Sequence, residues 1–329
     1  MIMKKILLTL ACVFGMSTVA SALTSSAVLL QHNGNITTYA AEDIAKAMTA
    51  AADGDEVFLN EGKYPGFTIS SAIKIKGAGQ TTIIDGNIVI ENTDKDLGDI
   101  FIGFLKLEGS IEGKSTMNKL DLMQCNITKG IWQSAGTVDE MQVDRCDIAS
   151  SSYIINLSNY YEEKVTIDDV TTTTKHPRIR KFTAINSKVY VIQETAYTAY
   201  SPYSFINCYV YTPRYCYLYG VTIINSLIDI QGTIDESECI YCAYRFSNNV
   251  NTNNKLTSCY YGNVSYNMSI SELEEADWMG NDGTVVGHFG GTRNTPFTLV
   301  PVVPRVTESS LKVDPQKKEL NVTVTVTPK

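Results

Sequence analysis

The sequence predicts an all-β chain wound into a stack of short strands. Three observations carry that prediction. A small residue, a variable one and an aliphatic one recur at roughly twenty-residue spacing through the middle of the chain. Short β-branched runs, broken by Gly77, Gly79 and Gly86, occupy the stretch from Ile69 to Ile90. Ahead of them lies one Ala-rich amphipathic segment, suited to covering the open end of such a stack.

Taken in order, Met1 to Ala22 reads as a secretory signal. Lys4 and Lys5 precede an apolar run from Ile6 to Val13, and Ala20-Ser21-Ala22 offers small residues for cleavage. An exported protein is therefore expected, whether periplasmic, cell-surface or secreted. Cys12 falls within the discarded peptide. No other segment is long and apolar enough to span a bilayer.

Residues 23–55 form an N-terminal hairpin and cap. Ala27 to Ala40 places two short apolar runs around Asn33-Gly34, a strong hairpin signal. His32 sits at that turn as a solvated residue. Ile44, Ala47, Met48 and Ala51 then share one face of a helix, which Asp53-Gly54-Asp55 terminates. Val57 and Leu59 alternate with polar residues as a half-buried strand does.

Residues 56–268 carry the coils. The clearest repeat copies are Cys125-Asn126-Ile127, Cys146-Asp147-Ile148, Asp168-Asp169-Val170, Ser187-Lys188-Val189, Cys208-Tyr209-Val210, Ser226-Leu227-Ile228 and Asn248-Asn249-Val250. Their aliphatic anchors lie 21, 22, 19, 21, 18 and 22 residues apart. Asn186, Asn207 and Asn225 precede the small residue in three copies, where Asn suits a tight corner. Period-two alternation turns the small and aliphatic residues inward and the residue between them outward. Cys125, Cys146 and Cys208 then fill the core as buried thiols rather than disulfides. Seven cysteines follow the signal, an odd number, so at least one has no intrachain partner. Cys239 and Cys242 have C-x-x-C spacing, which a redox motif, a metal half-site and coincidence all fit; no second pair or nearby His completes a zinc set, so no metal is assigned. Nine or ten coils about 4.8 Å apart would form a rod roughly 45 Å long.

Residues 269–329 form a C-terminal helix, a Gly-rich loop and a β tail. Ser271-Glu272-Leu273-Glu274 has a capping-box pattern, which places a short helix ending near Gly280. The loop from Asn281 to Gly291 lacks the Lys and following helix of a phosphate loop. Leu311 and Val313 pair with a last strand through Leu320, Val322, Val324 and Val326.

Several of these motifs resemble a known family. Asp53-Gly54-Asp55, Gly62-Lys63-Tyr64 and Ile75-Lys76-Gly77-Ala78-Gly79, following an amphipathic helix, resemble the start of pectin-lyase-like proteins. That resemblance implies a single-stranded right-handed parallel β-helix. The Leu29-to-Gly34 hairpin, the Asn-Cys corners and the stretch from Asp282 to Pro301 also resemble a group of exported bacterial β-helix proteins with no assigned reaction. The fold by itself fixes no chemistry, because one fold hosts lyases, hydrolases, adhesins and inert scaffolds.

Formal charge is −8, and loss of Lys4 and Lys5 makes the mature chain more acidic. That disfavours nucleic acid and anionic membrane surfaces as partners. Two outward columns carry the candidate residues. The first reads Asn126, Asp147, Asp169, Lys188, Tyr209, Leu227. In it Asp147 and Asp169 could pair beside Lys188, the outline of a polysaccharide lyase with a calcium ion, or of a glycoside hydrolase, acting on an acidic polysaccharide. The plain alternative is a mixed-charge ladder on a solvated face. The basic turn Arg178 to Lys181 adds little. The second column reads Thr128, Ala149, Thr171, Tyr190, Tyr211, Asp229. Fourteen of nineteen tyrosines lie between Tyr190 and Tyr266. Tyr190, Tyr209 and Tyr211 should share an outer face suited to stacking on sugar rings. The alternative is that Tyr is simply a good strand residue. The leading expectation is an exported, non-catalytic protein that binds a polysaccharide or cell-surface glycan.

Overall fold

The computed structural model describes residues 26–148, 155–167, 170–193, 202–212, 217–245, 253–291, 305–314 and 319–327. The expected signal therefore lies outside the described residues. The chain is a parallel β-solenoid of about nine turns. Val57, Ile75, Ile102, Leu122, Val143, Ala184, Phe205, Ile223, Cys239 and Leu256 stand in register in ten successive strands of one sheet. All but Leu256, at the far end, are buried. Parallel strands suit this sequence because inward β-branched and aliphatic residues stack on themselves at the strand spacing.

At the N-terminal end the expected hairpin forms. β1 (Ala27–His32) pairs antiparallel with β2 (Asn35–Ala40), and Asn33 and Gly34 take φ of 48° and 81°. Positive φ at both turn residues is the geometry that matches strand twist. β1 also pairs antiparallel with Glu56–Leu59, so the first coil does not end in a bare edge. The helix α1 (Ile44–Ala50) buries Ile44, Ala47 and Met48, the predicted face, over the same end. His32 is half-exposed in its turn, as expected, but its Nδ1 also lies 2.8 Å from the carboxylate of buried Asp55.

One corner of the coil repeats with little variation. Gln124, Arg145, Asn186, Asn207, Asn225, Tyr241 and Ser258 all have φ between 46° and 51°. Each precedes a residue of one inward ladder: Cys125, Cys146, Ser187, Cys208, Ser226, Cys242 and Cys259. Asn tolerates this left-handed region well, which accounts for three of the seven. Cys125, Cys146 and Cys208 are fully buried free thiols. The Cys146 sulfur lies 3.3 Å from the Cys125 amide, and the Ser187 hydroxyl 3.0 Å from the Cys146 amide, each accepting from it.

The register corrects one repeat copy. Asp147 pairs directly with Lys188, and Ile148 with Val189. No coil lies between them. The intervening chain forms an antiparallel hairpin, Tyr160–Ile167 with Val170–Pro177, so Val170 stands opposite Ile167 instead of joining the anchor column. Its strands lack an apolar face: Glu162, Glu163, Lys164, Val165 and Thr166 are exposed in succession. The insertion adds about one coil length, so the 22- and 19-residue spacings imitated the repeat. Ile148, Val189, Val210 and Ile228 do stack, and are buried. The next coil continues as Cys242-Ala243-Tyr244, a copy the sequence reading missed. Val250 lies outside the described residues.

Past the last coil strand, Tyr260–Tyr261, the chain turns back. α2 (Ile270–Glu275) has its capping box at Ser269 and Glu272, not at Ser271 and Glu274. The Ser269 hydroxyl accepts from the Glu272 amide and Glu272 accepts from the Ser269 amide. The final strands, Arg305–Asp314 and Glu319–Thr327, pair antiparallel with Leu311 opposite Val322. Among the described residues no helix is long and apolar enough to cross a membrane.

Candidate functional site

The first outward column is continuous in the structure. Lys106, Asn126, Asp147, Lys188, Tyr209, Leu227, Ala243 and Tyr260 occupy equivalent positions on consecutive strands. Asp147 and Lys188 are thus brought together as expected. Asp169 lies outside the described residues, and the register leaves it no place in the column. The carboxylate pair with Asp147 is therefore withdrawn. Among the described residues no three His, Cys, Asp or Glu side chains converge as a metal set.

The Tyr209 expectation also fails. Its side chain is only 1% exposed, because the chain's own segment from Gly262 to Gly291 lies over the column. Tyr209, Leu227 and Ala243 pack with Val264, Leu273, Val285 and Val286 in a second, smaller apolar cluster outside the coil. Strand side chains point outward here without reaching water. Tyr190 and Tyr211, half-buried, do sit side by side, with ring centroids 4.4 Å apart.

The cover is anchored at the Asn corners. Asn225 Nδ2 donates to Asn281 Oδ1 at 2.9 Å, its Oδ1 accepts from the Asn281 amide at 3.0 Å, and its carbonyl accepts from the Gly287 amide at 2.7 Å. Asn186 Nδ2 donates to the Gly290 carbonyl. Close approach explains two glycines of this loop. A Cβ on Gly287, at φ 94°, would lie 2.8 Å from Leu227 Cγ and Cδ1, and one on Gly291, at φ 95°, 2.5 Å from Asn207 Nδ2.

Beneath the cover lies a polar cluster. The Tyr266 hydroxyl donates toward both oxygens of Asp147, at 3.2 and 3.1 Å. Lys188 Nζ lies 4.0 Å from the Tyr266 ring centroid, in cation–π contact. The Tyr209 ring meets the same Tyr266 edge-on at 5.5 Å, and its hydroxyl donates to Asp229 Oδ2 at 2.9 Å. Arg245 stands 3.9 Å from Asp229, with which its strand is in register. His288, 2% exposed, packs against Phe289.

Burial dominates the electrostatics. It pushes the Asp147 carboxyl up, against the pull of Lys188 and the Tyr266 hydroxyl. It pushes Lys188 down, with Asp147 opposing. Asp229 rises for the same reason, although Tyr209 and Arg245 favour its charge. His288 is lowered to about 3 by burial and by the Lys188 charge, and is neutral at physiological pH. Each group moves toward its neutral form, as expected where desolvation outweighs pairing.

The sequence reading missed Tyr266, His288, Asp229 and Arg245 as members of one cluster. Tyr266 meets Asp147 across 119 residues, a distance over which no periodicity speaks. A signal did exist. Leu227 and Ala243 are apolar at outward positions, which marks a strand covered on both faces. The basic turn is also accounted for: Arg180 pairs with Asp139 at 2.8 Å and Lys181 with Glu140 at 3.2 Å.

These observations define the class, a capped parallel β-solenoid with one outward face sealed by its own C-terminal segment. No protein-family model matches the sequence, and a search of curated proteins finds no match.

Proposed function

We propose that the protein is an exported, non-catalytic β-solenoid that binds a glycan or acts at a cell surface. In this reading Asp147, Lys188 and Tyr209 hold the C-terminal segment in place. The observation that carries it is the cover: Tyr266 bonds Asp147 and lies on Lys188. A carboxylate or amine that exchanges protons with a sugar must come within hydrogen-bond reach of it. Export rests on the signal-like N-terminus, and a glycan partner on the resemblance to pectin-lyase-like chains. The stacking surface reduces to Tyr190 and Tyr211, without Tyr209.

The test is a glycan array with and without calcium, coupled to an assay for unsaturated or reducing products. Under this proposal a glycan binds, no product forms, and Tyr190→Ala with Tyr211→Ala weakens binding about tenfold or more, since about 1.4 kcal/mol is a factor of ten. Undiminished affinity in that variant removes the stacking surface.

A second reading, a lyase or hydrolase on an acidic polysaccharide, draws on one observation. Asp147 and Lys188 shift in opposite directions in one cluster, a pattern enriched at functional sites. It requires Tyr266 to move aside. Product formation by the wild type that rises in Tyr266→Ala and vanishes in Asp147→Asn would establish it and overturn the first reading.

A further inference from the structure

We propose that Cys242 and Cys259 are a redox-active thiol pair that closes a disulfide by exchange and latches the last coil to the one before it. The inward ladder beside the Asn corners runs Cys125, Cys146, Ser187, Cys208, Ser226, Cys242, Cys259, each one residue ahead of the outward column. Serines flank Cys208 on both sides. Only Cys125 with Cys146, and Cys242 with Cys259, are therefore cysteines in adjacent coils of this ladder. Register neighbours on adjacent strands have Cα atoms about 4.8 Å apart, inside the range a disulfide spans, roughly 4.4–6.8 Å.

The two pairs differ in surroundings. Cys125 and Cys146 are fully buried, and further coils hold them on both sides, with Leu105 before and Ser187 after. A disulfide needs its Cβ atoms drawn to about 3.8 Å, closer than the strand spacing, so one strand has to yield. In mid-sheet neither can without disturbing its other neighbour. Cys259 belongs to the last described coil, is partly exposed, and sits between Leu256 (42% exposed) and Tyr261 (64%). That coil has strand neighbours on one side only among the described residues, so a shift of its strand disturbs no second strand neighbour.

The chemistry divides the pair into an attacking and a resolving thiol. Cys259 is the partly exposed thiol of the two, and its neighbour Cys242 holds it down to about 7. Burial pushes Cys242 well up. A thiol poised near ambient pH is the best attacking group. The C-x-x-C spacing suggests Cys239 as the partner instead. Cys239, however, lies on the preceding strand, across the left-handed corner at Tyr241, in register with Ile223 and Leu256.

The oxidant is an external disulfide. Cys259 thiolate attacks one of its sulfurs and expels one thiolate, leaving a mixed disulfide. Cys242 then loses its proton to solvent, and its sulfur attacks the Cys259 sulfur and expels the second thiolate. The protein loses two hydrogens and the external disulfide becomes two thiols.

The probe is oxidised glutathione, added to the folded, reduced full-length chain and followed by non-reducing peptide mapping. Cleavage at Arg245 and Lys255 separates the two cysteines onto different peptides. The expected product links Cys242 to Cys259, releases two glutathione thiols per link, and forms at a rate that rises through about pH 7. Cys125 and Cys146 stay unmodified. The Cys242→Ser variant should trap glutathione on Cys259, and Cys259→Ser should take up none at Cys242. A wild-type map without the Cys242–Cys259 link, with stable glutathione on Cys259, or with Cys125–Cys146 linked instead overturns the proposal. The wild-type map stands whether or not either variant folds.

Discussion

Two halves of a single outward column behave as if they belonged to different proteins. Lys106 and Asn126, on earlier coils, face solvent, and the Lys106 amine pairs with Glu108 at 2.6 Å. Tyr209, Leu227 and Ala243, at equivalent positions farther along, are buried beneath Val264, Val285 and Val286. Asp147 and Lys188 stand at the boundary, half-covered by Tyr266. Strand alternation decides which way a side chain points. Whether that direction leads to water depends on what else the chain lays there.

The sharpest way to break the contrast is to place a charge at both kinds of outward position. Leu227→Asp buries an unpaired carboxylate and should cost about 3 kcal/mol or more, close to the cost of Val210→Asp on the inward side. Asn126→Asp, half-buried between Lys106 and Asp147 in the column, should cost under about 1 kcal/mol, because Lys106 offsets the like charge opposite. Urea melts of the three variants check this. If Leu227→Asp melts like Asn126→Asp, the cover does not bury the column.

A second effect concerns acid. The His288 pKa is lowered in the folded chain to about 3, from an ordinary value near 6.5. Between those values the unfolded chain binds a proton that the folded chain refuses. Stability from this group is therefore full above pH 6.5 and falls as pH drops toward 3, by up to about 1.4 kcal/mol per pH unit. Asp147 and Asp229 act with the opposite sign: their raised carboxyls cost stability once ionised, and acid relieves that cost. His288→Phe should flatten the fall between pH 6.5 and 4.5, measured by urea melts across that window. An unchanged slope would mean that water reaches His288.

Smaller still, Tyr209→Phe deletes the hydroxyl that donates to Asp229 and should cost about 1–3 kcal/mol, since the buried carboxylate loses a partner. Tyr211→Phe, half-buried in the neighbouring column, should cost less than about 0.5 kcal/mol. Thermal melts of the two variants rank them, and equal losses would place Tyr209 in water. The smallest contrast lies between two lysines. Lys188→Met removes a cation from the Tyr266 ring, an interaction worth about 0.5–2 kcal/mol, but also relieves desolvation, so the net change should be under about 1 kcal/mol. Lys106→Met loses only a surface ion pair and should be near neutral.

Much of this protein was legible in its residues. The stack of coils followed from the small-x-aliphatic repeat. The cap followed from Asn33-Gly34 and the Ile44, Ala47, Met48 face. The thiol ladder followed from period-two alternation at Cys125, Cys146 and Cys208. All of these are local: each is read within one strand, one turn or one helical face, and each repeats or has its own turn chemistry. The Asp147–Lys188 neighbourhood was reached too, although through a register that counted a hairpin as a coil.

What only the tertiary structure decided is what each outward residue meets. Spacing could not tell a coil from an insertion of about one coil length, because Tyr160 to Pro177 preserves the count while offering no apolar face to the core. Nor could it say that Tyr266 would return across 119 residues to cover Asp147, or that Gly287 would pass close enough to Leu227 to exclude a side chain. Local pattern fixes direction along a strand, because the backbone dictates the alternation. Cover is a long-range contact, and its partners carry no shared period from which to read it.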